Sequence, residues 1–547
     1  MNKKLLLIFL VIFFIAVFLR LFNITNIPPG ANRDEASIGY TAYSLLKTGN
    51  DEYGRHLPIS FQSFGDWKLP LYIYMVVPMV KLFGLSELAV RLPSALFGIF
   101  SVVLTFILAK KLFKNNLLAL IAMFLTAISP WHLHLSRVES EANVAVFLIL
   151  FSTILLLESF KEKRWFIIPS LAGFALTYYT YAGNYIFTTL LLPGIFLLYK
   201  NKLLSNKFFK IGIIVFFILL FFISYQTLFS ANRTKLSGIS IFSDPSILNT
   251  QIETPRTDHG NEIIAGSFLH NRYILGIERF SENFLKSYSP DFLFIKGGEN
   301  KAHNISNFGN MYLIEAPFLI LGIIMLFIYR KKTESRLMLL WFLIAPIAAS
   351  ITKDAPHTNR MFSIFPALPI VVSLGLFEAL RYFNNLGRLR KFFLFVIFVV
   401  YMVNITIYLD RYYVHFPKNE AQNWGLSYKI LLNKINEGKY KNRRVVIAEP
   451  ETSPYIFLLF YSSYDPQRYQ SSVVRYPPTN DKFIHVKKYD RFEFRDIAWS
   501  EDIKSVRKSI LIDFSRDIPP FVKDEHFTIT EIKLPNKKTY FTLVESR

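Results

Sequence analysis

The sequence predicts a polytopic α-helical membrane protein with a soluble α/β domain at its C-terminal end. Hydrophobic residues make up 52% of the 547 residues, which is too apolar and too long for one soluble domain. Apolar stretches of about twenty residues recur within residues 1–410, as in membrane-spanning helices. Residues 411–547 instead contain short strand-like runs and one helix-like run, so they predict a mixed α/β domain.

Basic loops order the predicted membrane spans. Short cytoplasmic loops are rich in Lys and Arg, and such loops occur at 110–114, 161–164, 200–210, 330–332 and 381–391. Placing these loops and the N terminus inside gives about eleven spans. Their predicted ranges are 5–19, 92–109, 117–135, 143–157, 166–181, 185–199, 211–229, 311–329, 337–351, 361–380 and 392–409. The loops at about 23–90 and 230–310 and the C-terminal domain then lie outside the cytoplasm.

Two apolar segments need a separate interpretation. Residues 5–19 follow Lys3 and Lys4 like a signal peptide, but no small-residue cleavage site follows, so we predict an uncleaved first span. The segment 69–83 is short and contains Pro70 and Pro78. If it crossed the membrane, the basic loop at 110–114 would lie outside, so we predict a helix in the outer membrane interface.

Hydropathy changes in the tail, where apolar runs become short. Runs at 445–448, 509–514, 527–534 and 539–544 predict strands, and 455–464 predicts a helix. The predicted domains are therefore a transmembrane body, 1–410, and an extracytoplasmic α/β domain, 411–547.

The net charge of +22 would suggest nucleic acid in a soluble protein. Here many basic residues fall between the spans, where topology explains them, so we expect no nucleic-acid partner. The chain has no cysteine, which excludes disulfides, thiolate metal sites and a cysteine nucleophile.

Polar residues collect at the predicted outer face, while the predicted mid-span positions carry almost no ionisable groups. Transporters place ionisable groups near the bilayer midplane, so this distribution favours an enzyme acting on a lipid-linked substrate. The residues concerned include Arg33, Asp34, Glu35, Asp66, Lys68, His132, Arg137, Glu141, Tyr181, His357 and Arg360.

Most of these residues also have a structural interpretation. Asp34 and Glu35 are favoured in the first turn of any helix. His132 and His134 are two residues apart and do not share a helix face, while Arg137 and Glu141 are four apart and could form an ion pair. Lys68 and Arg360 could be snorkelling anchors, and Tyr181 could belong to an aromatic belt.

Several motifs resemble glycosyltransferase family 39, which includes protein O-mannosyltransferases and bacterial lipid A aminoarabinose transferases. The segment 33–40 with 45–49 is similar to the family's first outer loop. Residues 66–72 resemble its acidic-Lys-Pro segment, with Trp67 and Leu69 as extra residues between the motif positions. Residues 83–95 match the entry to its second span, and 129–137 the end of its third.

The resemblance implies the GT-C fold, with interfacial helices in the first outer loop, a polyprenyl-phosphate-linked sugar donor and transfer with inversion. It directs the mechanistic assignment of the residues. We expect Asp34 to be the general base, with Glu35 and Asp66 as further catalytic candidates. Candidate ligands of the donor phosphate are Lys68, Arg137, His357 and Arg360. Candidate substrate contacts are Arg33, His132, Glu141 and Tyr181.

Alternatives stay open at this point. An oligosaccharide ligase or polymerase would share an outer-face site, and a non-enzymatic lipid or glycan carrier is a third hypothesis. The acceptor could be a protein, a lipid or a glycan. A divalent metal is possible, but no metal-binding spacing is present in the sequence.

Overall fold

The computed structural model describes residues 2–229, 240–241, 249–258, 267–383, 387–438, 440, 443–479, 483–505, 509–523 and 527–546. The described chain forms two compact units. The helical unit comprises Met1–Arg20, Leu96–Ser136 and Ser140–Tyr408, and the sheet unit comprises Leu21–Ala95, Arg137–Glu139 and Leu409–Arg547. The predicted outer loop at 230–310 lies partly outside the described residues. The predicted domain boundary at 410 stays a prediction.

Helices dominate the chain as far as residue 410. Among the described residues of this part, the helices of eight residues or more are Lys3–Leu21, Arg33–Thr48, Pro70–Phe83, Glu87–Phe113, Asn116–Ile128, Pro130–Arg137, Glu141–Ser159, Ile167–Leu176, Gly183–Leu204, Phe209–Phe229, Arg272–Lys286, Glu315–Ile328, Thr333–Ile344, Ala367–Tyr382 and Gly387–Asp410. Short helices include Thr254–Asp258, Ile347–Ser350 and Thr358–Met361.

Four helices among the described residues are long and apolar enough to cross a membrane, namely Lys3–Leu21, Glu87–Phe113, Glu141–Ser159 and Gly387–Asn419. The number rises to six if each of two bent pairs is one span. Shorter apolar helices are Pro70–Phe83, Phe209–Tyr225 and Glu315–Ile328. The predicted helical membrane body is confirmed, and the count of about eleven spans stays a prediction.

Two predicted continuous spans are broken in the structure. The axis bends by 54° between Asn116–Ile128 and Pro130–Arg137, and by 53° between Thr358–Ile364 and Ala367–Tyr382. A proline lies at each break, Pro130 and Pro366. Proline lacks the backbone N–H and its ring clashes with the preceding turn, so a helix bends or ends there.

A seven-stranded sheet forms the core of the C-terminal region. Its strands are β3 Arg444–Ile447, β4 Val474–Arg475, β5 Val486–Tyr489, β6 Phe492–Phe494, β7 Ser509–Phe514, β8 Phe527–Lys533 and β9 Thr539–Ser546. The order is β4-β5-β6-β3-β7-β9-β8, with β3 parallel to β6 and β7 and the other pairs antiparallel. Helices Leu426–Ile435, Pro454–Ser462 and Pro466–Ser472 accompany the sheet. The predicted α/β domain is therefore confirmed.

Every residue of β7 is buried, as expected for a central strand with both faces covered. A two-stranded hairpin, β1 Phe61–Ser63 and β2 Asp66–Lys68, lies earlier in the chain and belongs to the same unit. It pairs Phe61 with Lys68. The hairpin thereby fixes the backbone from which the Lys68 side chain extends.

Candidate active site

The first helix of the sheet unit, Arg33–Thr48, is here called the site helix. Its N terminus is closed by a capping box. The Asn32 side chain accepts a hydrogen bond from the Glu35 N–H at 2.8 Å, and the Glu35 carboxylate accepts one from the Asn32 N–H at 3.2 Å. This arrangement satisfies N–H groups that a helix leaves unpaired. It turns Glu35 into the protein and leaves Asp34 exposed.

Asp34 forms an ion pair with Lys68. The Lys68 Nζ lies 2.9 Å from the Asp34 Oδ1. The Asp34 side chain is 54% exposed, whereas only 11% of the Lys68 side chain is exposed. A helix N terminus stabilises negative charge, and the ammonium group stabilises it further. The pair is thus a solvent-accessible carboxylate beside a sheltered cation.

Beneath this pair, Glu35 and Arg91 form a fully buried ion pair. Arg91 donates from Nε to the Glu35 Oε1 at 2.9 Å and from Nη2 to Oε2 at 2.8 Å. Its remaining hydrogens go to the carbonyls of Ile24, Pro28 and Gly30. This saturated geometry offsets part of the desolvation cost of two buried charges. It ties the loop before the site helix to the start of the Glu87–Phe113 helix.

Arg137 and Glu139 extend this hydrogen-bonded network around Glu35 and Arg91, here called the frame. The Glu139 N–H donates to the Glu35 Oε1 at 3.0 Å. Arg137 donates to the Ile27 carbonyl at 3.0 Å and to the Tyr412 hydroxyl at 3.3 Å, and its guanidinium lies 5.4 Å from the Tyr412 ring centroid. Arg137 is fully buried. Its guanidinium therefore stabilises the frame in this structure, and its predicted contact with a donor phosphate stays a prediction.

Two further predicted residues lie next to the pair in sequence. Arg33 is exposed, and its guanidinium lies 4.9 Å from the ring centroid of Phe64. Asp66 opens β2, opposite Ser63, but its side chain lies outside the described part of the structure. Arg33 thus keeps an accessible positive charge near the start of the site helix.

The two histidines of the third predicted span have different partners, all within the helical unit. The His132 Nδ1 lies 2.7 Å from Nη2 of the buried Arg20, and its ring stacks on Phe365 with centroids 4.8 Å apart. The His134 Nε2 lies 3.0 Å from the Ala302 carbonyl oxygen. The histidines thus do not act as a pair, as their spacing predicted.

His357 and Arg360 lie together in the helical unit. The His357 ring caps the helix Thr358–Met361 by accepting from the Arg360 N–H at 3.4 Å. Burial lowers the pKa of His357 well below its usual range, and nearby His303 and Arg360 lower it further. The Arg360 guanidinium donates to the Thr352 hydroxyl at 2.8 Å and lies 3.5 Å from the Asp354 carboxylate. His357 is therefore neutral near pH 7 and adds no positive charge to that of the Arg360 guanidinium.

Glu141 and Tyr181 are partly buried, and both belong to the helical unit. Glu141 begins the helix Glu141–Ser159, whose N-cap residue Ser140 accepts from the Asn143 N–H. The Tyr181 ring lies against Gly183, where a methyl group would approach it to 2.6 Å. The positions of Glu141 and Tyr181 neither support nor contradict their predicted contacts with substrate, which stay predictions.

Metal binding has no preformed centre in the described part of the chain. No group of three or more His, Asp or Glu side chains there could hold a metal ion. A divalent metal, which the sequence left open, therefore stays an open alternative.

Sequence reasoning missed several residues of these networks. The most important of these is Arg91. The sequence feature that could have identified it is an arginine at the start of a long apolar helix, because a charge at such a position needs a partner. Arg20 gave the same signal at the end of the first helix. His303, whose ring centroid lies 5.3 Å from that of His357, and Tyr412 had no signal in the linear sequence.

A family model described as dolichyl-phosphate-mannose-protein mannosyltransferase matches residues 68–225. No curated protein sequence matches the chain significantly. Lys68 and Arg137 fall inside the matched range.

Solved structures of two other proteins are among those that share the fold. ArnT from Cupriavidus metallidurans, bound to undecaprenyl phosphate, has a TM-score of 0.52 at 11% identity, with 99% of this chain and 97% of that chain covered. The oligosaccharyltransferase AglB from Archaeoglobus fulgidus, in complex with an inhibitory peptide and a dolichol-phosphate, has a TM-score of 0.51 at 16% identity. That likeness covers 84% of this chain but only 64% of the oligosaccharyltransferase. At these identities the likenesses establish the fold.

Proposed function

We propose, from the GT-C fold that this chain shares with membrane glycosyltransferases, that it transfers a sugar from a polyprenyl-phosphate-linked donor to an acceptor hydroxyl. Transfer takes place at the outer face of the membrane and inverts the anomeric carbon. The observation that carries the proposal is the Asp34–Lys68 pair, in which an accessible carboxylate lies 2.9 Å from a sheltered ammonium. One group suits proton removal from a hydroxyl and the other suits an anionic leaving group.

The proposed step needs one base and one anion-binding group. As the acceptor oxygen forms its bond to the anomeric carbon, its proton passes to the Asp34 carboxylate. The bond from that carbon to the phosphate oxygen breaks, and the electron pair leaves with polyprenyl phosphate. Phosphate departs as a stable anion, so no general acid is required, unlike glycoside hydrolysis with its two carboxylates.

The ion pair implies that the donor phosphate engages Lys68 before Asp34 accepts the acceptor's proton. Without substrate, Lys68 contacts Asp34. The donor phosphodiester carries one negative charge and forms charge-assisted hydrogen bonds with the same ammonium. Its charge rises towards two as the phosphate leaves, so Lys68 shifts from Asp34 to the leaving group and the carboxylate becomes available to the proton of the acceptor hydroxyl.

The other predicted residues divide by their exposure. Glu35 is buried and paired with Arg91, so we assign it the positioning of the site helix. Arg33, with its exposed guanidinium, suits contact with substrate. His357 and Arg360 remain candidates for phosphate binding, and Asp66, His132, Glu141 and Tyr181 keep their proposed roles from the sequence. We further propose that residues 411–547 form the extracytoplasmic domain.

A second candidate is transfer of a whole oligosaccharide, which the likeness to the archaeal oligosaccharyltransferase favours. The likeness to ArnT bound to undecaprenyl phosphate covers nearly all of both chains, and the matching family model describes a mannosyltransferase that uses dolichyl-phosphate-mannose, which favours the single-sugar donor. The donor's size is therefore the property that separates the two candidates.

The test uses the purified full chain in proteoliposomes. Monosaccharides linked to polyprenyl phosphate are offered in parallel with lipid-linked oligosaccharides, together with peptide, lipid and glycan acceptors. Transfer from monosaccharide donors alone supports the proposal, and transfer only from oligosaccharide donors supports the second candidate. Absence of transfer from every donor would favour a carrier and overturn both.

Asp34→Asn tests the base. We expect a loss of about 10²–10⁴-fold in transfer with an unchanged thermal midpoint. The matched control is Asp291→Asn, because Asp291 also forms an accessible ion pair, with Lys296 at 3.1 Å. The control should retain full transfer. Near-normal activity of Asp34→Asn would remove this residue from the mechanism.

A further inference from the structure

The helix Arg272–Lys286, here called the loop helix, exposes a large apolar surface. Tyr273 is 85% exposed, Ile277 67% and Leu285 70%. Just before the helix, Phe268 is 74% exposed and Leu269 49%. Soluble surfaces rarely present so many large apolar side chains together. The surface therefore requires an apolar partner.

The opposite side of the loop helix packs within the helical unit. Leu275 and Asn283 are its buried residues. The Asn283 amide donates to the carbonyls of Ser350 and Thr352, each at 3.1 Å. The helix is thus fixed in rotation about its own axis, with Tyr273 and Ile277 on the outward side.

An aromatic series joins the loop helix to a predicted membrane span. Ring centroids are 5.9 Å apart for Phe280 and Phe284, 5.7 Å for Phe284 and Tyr288, and 6.5 Å for Tyr288 and Phe342. The Tyr288 hydroxyl also donates to the Phe342 carbonyl. Phe342 belongs to the helix Thr333–Ile344, within the predicted span 337–351. The loop helix therefore adjoins the end of a membrane helix.

Basic residues on the loop helix indicate that its apolar partner is phospholipid. Arg272 and Lys286, at its two ends, are exposed, and Lys286 also forms an ion pair with Glu282 at 2.6 Å. Basic side chains at such positions reach lipid phosphates while an apolar face enters the acyl region. We propose that the loop helix lies in the headgroup region of the bilayer, with Tyr273, Ile277 and Leu285 against lipid.

This placement has a consequence for Arg360, and that consequence rests on the proposed function. Asn283 binds the Thr352 carbonyl, and the Thr352 hydroxyl accepts from Arg360 at 2.8 Å. A loop helix held in the interface therefore holds Arg360 at the depth of lipid phosphates. That depth suits a cation for a lipid-linked phosphate.

The absence of cysteine permits a direct test in the full chain. Ile277→Cys and Arg272→Cys are each spin-labelled in nanodiscs of mixed zwitterionic and anionic phospholipid. Collisions with oxygen report on lipid, and collisions with a water-soluble nickel chelate report on water. Phe221→Cys, 66% exposed on an apolar helix, is the lipid reference, and Lys537→Cys, on an exposed turn, is the water reference.

We expect the label at Ile277 to resemble that at Phe221 and the label at Arg272 to resemble that at Lys537. Access of the nickel chelate to Ile277 as high as its access to Arg272 and Lys537 would place the whole helix in water and overturn the proposal. Protection of Ile277 from both reagents would show that protein covers this face, and would also overturn it. No sugar transfer is measured, so a failure of the proposed function does not affect the result.

Discussion

Glu35 and Arg91 share two hydrogen bonds, at 2.9 and 2.8 Å, while neither side chain is exposed. Glu35 directly follows Asp34, whose side chain is 54% exposed. Two adjacent carboxylates of one helix turn therefore have different physical roles. The buried one fixes the backbone, and the exposed one is available for chemistry.

The first prediction separates these roles. Glu35→Gln leaves Arg91 charged and buried without its counter-ion, and breaking a buried pair costs about 3–5 kcal/mol. We expect a large fall in the thermal midpoint of the purified protein, measured in detergent. Asp34→Asn breaks a partly exposed pair worth about 0–1 kcal/mol and should melt near the wild-type temperature. Equal thermal midpoints for Glu35→Gln and Asp34→Asn would contradict this division of roles between the two carboxylates.

The second prediction concerns Lys68. Lys68→Met removes a charge-assisted hydrogen bond worth about 1.5–3 kcal/mol, so the donor KM should rise roughly 10–100-fold. Lys68→Arg keeps the charge and should recover part of this loss. Lys296→Met, at the accessible Asp291–Lys296 ion pair, is the control and should keep the wild-type KM. A Lys68→Met enzyme with an unchanged donor KM would exclude Lys68 from phosphate binding.

The sequence could predict the features that depend on local pattern. Apolar runs predicted the membrane helices, and β-rich runs predicted four of the strands, because both follow from periodicity. The sequence could not predict the frame around Glu35, because the partner of Glu35 is Arg91, which lies 56 positions away along the chain. Arg137 shows the same limit. Its position at an outer helix end suggested phosphate binding, but burial and its bond to Ile27 depend on the tertiary fold.

The third prediction tests the loop before the site helix. Gly30 has a φ of +81°, and a Cβ there would lie 2.6 Å from the Trp424 carbonyl oxygen. We expect Gly30→Ala to destabilise the protein by about 1–3 kcal/mol from backbone strain, with steric overlap added. Gly54→Ala is the control, because Gly54 has a similar φ of +85° but nothing within 4 Å of a Cβ. Equal thermal midpoints for Gly30→Ala and Gly54→Ala would show that neighbouring atoms shift enough to remove the overlap at Gly30.

The fourth prediction is a pH dependence. Burial raises the pKa of Glu52 to about 7, with Asp51 adding to the rise and Arg475 and the Tyr455 hydroxyl opposing it. In the unfolded chain this carboxyl titrates near its usual value of about 4.3. Between these values the folded protein holds a proton that the unfolded chain releases. The free energy of unfolding therefore decreases as pH rises through this window, by about 1–3 kcal/mol.

Glu52→Gln isolates this effect. Glutamine cannot titrate, so the variant should lose less stability than the wild type between pH 5 and pH 8, as measured by thermal or denaturant unfolding. Asp513, whose pKa burial raises to about 6, titrates in both proteins and cancels in the difference. Parallel stability curves for the two proteins would show that Glu52 is ionised in the folded state throughout.

The fifth prediction concerns the connection from the loop helix to Arg360. Asn283→Ala leaves the carbonyls of Ser350 and Thr352 without their donor, which costs about 1–3 kcal/mol and loosens the segment that holds Arg360. If Arg360 binds the donor phosphate, the donor KM should rise while kcat changes little, because Asp34 and Lys68 are untouched. Steady-state kinetics over a range of donor concentrations measures this division.

Asn206→Ala provides the matched control for Asn283→Ala. Asn206 is likewise buried, and its amide donates to two carbonyls, those of Ser159 and Arg164, at 3.3 and 3.0 Å. Neither carbonyl contacts the Arg360 segment among the described residues, so this variant should lose similar stability with an unchanged donor KM. If both variants raise the KM equally, the effect of Asn283→Ala is a general loss of stability. A KM that rises only with Asn283→Ala requires that the loop helix positions the phosphate-binding arginine.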